Sequence, residues 1–372
     1  MSDYENNNNI ITDNNNNSNK MLYISFNQNS SCFAIGTENG FIIYSTFPFK
    51  DKFTRNLNGG IGIIEMLNSS NILALVGGGK YPKYNKNKVI VWDDYEQKVV
   101  SELKFTNSIK NVKLKKDKIF VVCDQRIYVY TLDKNYKCLD TIETIENIRG
   151  VIALNINQED TILAFPTRPT GFIKIKYYEK NIEININAFK ETIAYLCINN
   201  EETILATASE KGTIIRFFLI NNGDFIDEIK IGNNLTEINY MIFDKTCDFI
   251  AICNDKGFIN IWSLKLIWEK IDLKKKDNDN DDDEKDLNIK FHLRNPIKNK
   301  KSFFSFLPDF ITGGSNKPFA NIRLGEEEIG ICSFEDEYNL ICITSTGKYF
   351  KAEINKEKGG NAIIKEEKIL YK

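Results

Sequence analysis

A short unit recurs along this 372-residue chain: an apolar strand, a polar turn holding glycine, and a second strand rich in β-branched and aromatic residues. It occupies residues 33–44, 204–215, 250–262 and 340–349, where the turns read Thr37-Glu38-Asn39-Gly40, Ser209-Glu210-Lys211-Gly212, Asn254-Asp255-Lys256-Gly257 and Ser345-Thr346-Gly347. Variants lie at 72–92, 119–130 and 162–176. From Gly171 to Gly212 is 41 residues, from Gly212 to Gly257 is 45, and from Gly257 to Gly347 is 90, twice the period. A period of about 40–45 residues suits one four-stranded blade. Radial repetition of such blades leaves only short sheet edges to protect. Helical periodicity is nowhere sustained. The expected fold is all-β, a WD40-like seven-bladed β-propeller over residues 20–372.

Composition narrows the function. Apolar residues make up 42% and charged residues 27%, enough to bury a core. Lys and Arg number 49 against 51 Asp and Glu, a net charge of −2, which sets aside a globally basic nucleic-acid binder. No run reaches the roughly 18–20 apolar residues that cross a bilayer. The polar, Asn-rich N-terminus has neither the basic nor the apolar region of a signal peptide. The expectation is a cytoplasmic protein whose membrane contact is peripheral. Eight cysteines (Cys32, Cys123, Cys138, Cys197, Cys247, Cys253, Cys332, Cys342) form no C-x-x-C pair and sit mostly inside apolar runs, as reduced core thiols do.

The catalytic inventory is nearly empty. The single histidine, His292, stands in a charged low-complexity stretch, so a Ser/His/Asp triad or Cys/His dyad has no ordered scaffold. One histidine and scattered cysteines give no zinc spacing. The run Val76-Gly77-Gly78-Gly79-Lys80 lacks the phosphate-loop pattern, and Pro82 stands where a helix would begin. An enzyme, a metal site and a resident cofactor are not expected.

Two segments break the repeat. Residues 1–19 are expected to be a disordered polar tail. Residues 269–302 are expected to be a charged loop in blade six. This loop carries Lys274, Lys275 and Lys276, an acidic run over 277–286, and the cations Arg294, Lys298, Lys300 and Lys301 ahead of Phe303 and Phe304. It reads either as a solvated insertion or, through those cations and Phe303, as an interfacial membrane contact. The following Pro308 also allows residues 302–307 to be a buried strand.

Several runs are more specific than a generic WD40 repeat: residues 65–67, 73–79 with Pro82 and 87–94, then 163–166 with Gly171, then 205–216, and finally 305–308 with Phe319-Ala320. Together they resemble the PROPPIN (WIPI) family, seven-bladed propellers that bind phosphoinositides on autophagic and endosomal membranes. That family carries a Phe/Leu-Arg-Arg-Gly motif whose arginines serve two lipid sites on the rim. Here the matching residues are Ile229-Lys230-Ile231-Gly232, so one cation survives as Lys230 and the other position is apolar. The resemblance implies a first site of Thr207, Ser209, Arg216 and Lys230 beside Gly232, with Lys190 as a substitute for a family histidine whose place Phe189 takes. The second site would fall on Ile231, Cys253 or Asn254, Phe258 and Asn260, where nearly every phosphate ligand is gone. Arginine offers phosphate a bidentate fork and lysine only a point charge.

The resemblance therefore implies a monomeric adaptor for phosphatidylinositol 3-phosphate, with the 3,5-bisphosphate as a further ligand. It would sit on autophagosomal, endosomal or vacuolar membranes and recruit lipid-transfer or conjugation proteins of autophagy. The alternative is a propeller scaffold that has lost lipid binding and acts only through protein contacts.

Overall fold

The computed structural model describes residues 20–157, 160–278, 317–325, 328–355 and 357–370. They form seven sheets, six of four antiparallel strands and one that adds a fifth, parallel strand. The first strands of neighbouring sheets pack on one another around a common axis. This is the expected seven-bladed propeller. Blade five consists of Ile193–Ile198, Ile204–Ser209, Ile214–Leu219 and Phe225–Lys230. Blade six consists of Ile238–Phe243, Phe249–Asn254, Phe258–Ser263 and Ala320–Arg323, along which Gly360–Asn361 pairs in parallel. Its third and fourth strands flank the insertion.

The recurring glycine has a steric cause. At Gly171, Gly212 and Gly257 the backbone is left-handed, with φ of +83°, +60° and +72°. An ideal Cβ there would lie 1.9, 1.6 and 1.7 Å from the carbonyl oxygens of Phe189, Thr236 and Gly325. Each of these oxygens belongs to the segment that leaves the same blade's outer strand. Turn and connection touch backbone to backbone in successive blades, and only glycine permits both the φ and the approach.

Among the described residues no strand is shared between the first and last blades: Met21–Phe26 opens blade one, and Ile363–Ile369 ends blade seven. Packing closes the ring instead. Phe33, Tyr44 and Phe49 of the first blade meet Tyr349 of the last, with the Phe49 and Tyr349 ring centroids 4.3 Å apart. The Tyr44 hydroxyl donates to the Leu370 carbonyl at 2.9 Å. On the axis, a cavity of about 360 Å³ is lined by Glu65, Lys113, Tyr195 and Tyr240 among others.

The charged loop expected from residue 269 departs from the structure at its start, because Lys265–Asn278 is an α-helix. Ser263 Oγ accepts from the Lys265 N–H at 3.4 Å near its first turn. Ile267 and Ile271, one turn apart, are buried against blades five and six. The Trp268 indole donates to the Cys247 carbonyl at 2.6 Å. The tail over 1–19 and the insertion over 279–316, which holds Arg294, Lys298, Lys300, Lys301 and Phe303, lie outside the described residues.

The turn under this helix holds a titratable group. Asp244 is buried, accepts from the Phe249 N–H at 2.8 Å, and has its carboxyl pushed up to about 6, chiefly by desolvation. Folded Asp244 thus takes its proton as pH falls through about 6, whereas an unfolded aspartate waits until about 4. Relative to Asp244→Asn, the wild type should gain stability as pH drops from 7 to 5. Parallel melting curves at the two pH values check this, and an unchanged difference would rule it out.

Candidate functional site: a notch on the rim between blades four and five

Blade five presents two faces by strand alternation. Thr207 pairs across the sheet with Arg216, and Arg216 with Glu228, while Ile214 pairs with Lys230. These side chains, with Ser209, share the face turned toward blade four. There a notch of about 430 Å³ opens on the rim, lined by residues 187–191 of the blade-four exit and by Ser209, Lys211, Thr213, Ile214 and Arg216.

Arg216 is the best-defined group. Its guanidinium lies over the Phe189 ring, 4.8 Å from the centroid. One Nη1 hydrogen goes to the Ala188 carbonyl at 2.6 Å, and Nε pairs with Glu228 at 3.0 Å. Phe189 cannot donate to a phosphate, but its face fixes the guanidinium plane through a cation–π contact. Lys211 pairs with Glu191, whose carboxyl that ammonium holds below its ordinary value. Lys190 is exposed at the notch wall.

Of the residues expected from the sequence, Ser209, Arg216 and Lys190 line the notch. Thr207 lies deeper. It is fully buried, directly across from Arg216, and its hydroxyl has no hydrogen-bond partner among the described residues. Lys230 shares the notch face but stands one strand further out, and Gly232 lies beyond it; neither belongs to the lining. Lys211 and Thr213 also line the notch, and sequence reasoning passed them over. Their signal was position, since the turn after Ser209 must fold over the same opening.

Several residues at the place of the second site are engaged with the protein itself. Cys253 is buried, with its Sγ 3.6 Å from that of Cys332 in blade seven. The Asn254 side-chain oxygen accepts from the backbone N–H groups of Lys256 and Phe258, at 3.1 Å each. Ile231 packs into the core between blades five and six. Across the sheet from Phe258, Arg323 sits 6.0 Å over its ring.

Comparison with known proteins decides the family. A profile of the PROPPIN family matches residues 21–272. The chain belongs to the PROPPIN family. An SVP1-like protein 2 of Debaryomyces hansenii is 34% identical over 283 residues, covering 66% of each chain. The matched segments span between 56% and 70% of the length of such relatives. Autophagy-related protein 18e of Arabidopsis thaliana is 28% identical over 355 residues, 95% of this PROPPIN and 88% of that protein. In fold, it is similar to Kluyveromyces lactis Hsv2, with a TM-score of 0.73 and 19% identity over 95% of this chain and 100% of that one. A Kluyveromyces lactis Atg21 solved with the coiled coil of an Atg16 superposes with a TM-score of 0.69 at 20% identity, over 95% and 100%. The family is one of propeller adaptors rather than enzymes. In this PROPPIN no described helix is long and apolar enough to cross a membrane.

Proposed function

We propose that this PROPPIN is a peripheral membrane adaptor that reads phosphatidylinositol 3-phosphate through the notch between blades four and five. The observation that carries the reading is Thr207. A fully buried hydroxyl with no partner among the described residues costs stability, and this one lies directly across the sheet from Arg216, which lines the notch together with Ser209, Thr213, Lys190 and Lys211. Hydroxyls and cations approaching from several sides are what a phosphomonoester needs. The 3,5-bisphosphate is a candidate by the same chemistry. Bound there, the propeller would hold proteins of autophagy on autophagosomal, endosomal or vacuolar membranes, such as a coiled coil of the kind bound by its structural relative or a lipid-transfer protein.

A scaffold that binds no lipid is the second reading, and one observation favours it. Both Arg216 and Lys211 already have carboxylate partners, Glu228 and Glu191. Flotation with vesicles that contain or lack the 3-phosphate lipid separates the two. The adaptor should float only with the lipid. Arg216→Ala with Lys230→Ala should cut that binding by at least about tenfold, because a charge-assisted hydrogen bond is worth roughly 1.5–3 kcal/mol. Equal flotation on both vesicles, or undiminished binding of the double variant, would refute it.

A further inference from the structure

The outermost strand of a blade is an edge, with one row of backbone groups unpaired and one flank open. In blade five the outermost strand borders the notch through Glu228, the partner of Arg216, and is also packed by the only helix among the described residues. The two contacts use opposite faces of that strand, Phe225–Lys230. Toward blade four stand Glu228, which holds Arg216, and Lys230. Toward blade six stand Asp227 and Ile229, and here the helix Lys265–Asn278 docks. Lys270 pairs with Asp227 at 2.6 Å, with the Asp227 side chain only 19% exposed. Ile267 and Ile271 pack in one cluster with Ile226 and Ile229. Asp227 and Glu228 are neighbours in sequence, so a hold on Asp227 steadies the backbone from which Glu228 projects.

From this placement we infer that the helix is a brace for the headgroup notch, with Lys270, Ile267 and Ile271 acting as positioning residues. The inference rests on the lipid reading of that notch. Ordering the strand that carries Glu228 before the ligand arrives removes an ordering cost from the binding step, and Arg216 is held precisely only when the strand of its carboxylate partner is held. The helix holds the strand from behind through one ion pair and two buried isoleucines. It also explains a pattern that composition hides. The stretch that leads into the charged insertion carries apolar residues at 264, 267, 268 and 271, a stripe that would serve no purpose in a purely solvated loop.

The test uses the full chain, a soluble inositol 1,3-bisphosphate probe in calorimetry, and amide hydrogen exchange over residues 225–230 without ligand. Lys270→Glu should speed exchange across that strand and weaken headgroup binding by roughly three- to tenfold, as loss of preorganisation does, with the global melting temperature nearly unchanged. Combining it with Asp227→Lys restores the ion pair in reverse and should rescue both readouts. Lys270→Ala serves if the charge reversal fails to fold. Exchange that stays at the wild-type rate would show that the helix braces nothing. Faster exchange with unchanged headgroup affinity would show that the brace does not serve the notch. A wild-type chain that ignores the headgroup overturns the lipid reading itself, and the inference with it.

Discussion

Gly212→Val is expected to cost the fold, whereas Gly232→Ala, in the stretch matching the family motif, should be nearly silent. At Gly212 a Cβ would lie 1.6 Å from the Thr236 carbonyl oxygen, and φ is +60°. Neither can relax alone. The same contact carries the hydrogen bond from the Thr236 N–H to the Lys211 carbonyl, 3.1 Å long, which joins the notch turn to the connection into blade six. A branched residue adds left-handed strain of about 1–2 kcal/mol to the loss of that join, for a total of roughly 3–5 kcal/mol. At Gly232 an added Cβ meets nothing within 4 Å, so the change should stay within about 0.5 kcal/mol. Urea unfolding of both variants measures the contrast. A stable Gly212→Val protein would mean that the turn and the connection do not touch.

The same contrast shows what the sequence made legible. The glycine period was visible because the geometry that demands glycine repeats in successive blades, and it located the blades and the place of the insertion. The face of each strand was legible too: Thr207, Ser209 and Arg216 do share one side, as a period of two requires. Depth was not. Alternation says which way Thr207 points but not that Arg216 covers it, because cover depends on the neighbouring blade. The ion pairs of Arg216 with Glu228 and of Lys211 with Glu191 were equally hidden, since each joins strands or loops whose register has to be known first.

The helix was missed for a different reason. Leu264, Ile267, Trp268 and Ile271 carry a helical stripe, but it is short and runs straight into lysines and aspartates. A charged window drowns a short amphipathic signal unless it is read by position rather than by average. What stabilises the helix is the partner surface on blade five, and that surface exists only after the propeller has formed.

Glu65→Ala should be among the most damaging single substitutions outside the glycine turns, while replacing the pair Glu65 and Lys113 together should be mild. Glu65 is 3% exposed and sits on the axial cavity, 3.0 Å from the Lys113 ammonium. Burial pushes its carboxyl up from the ordinary value, with Lys113 pulling against that. The carboxylate also accepts from the Gln28 amide at 3.3 Å, and Gln28 donates further to the carbonyls of Met66 at 2.7 Å and Leu114 at 3.1 Å. One glutamine and one ion pair thus tie the turn after the first strand of blade one to the first strands of blades two (Ile61–Met66) and three (Ile109–Leu114) around the axis. Removing one charge strands its partner in the cavity, a loss of roughly 3–5 kcal/mol for a buried pair, with the lower end expected here because Lys113 keeps 31% of its side chain exposed. Lys113→Ala should be worse than Glu65→Ala, because it leaves the more deeply buried charge alone. Glu65→Met with Lys113→Met keeps the volume and removes both desolvation penalties, so it should return most of the stability. Denaturant unfolding of Glu65→Met, Lys113→Met and the double variant completes the cycle. If the double loses as much as the sum of the singles, the two charges do not interact and the axial tie rests on Gln28 alone.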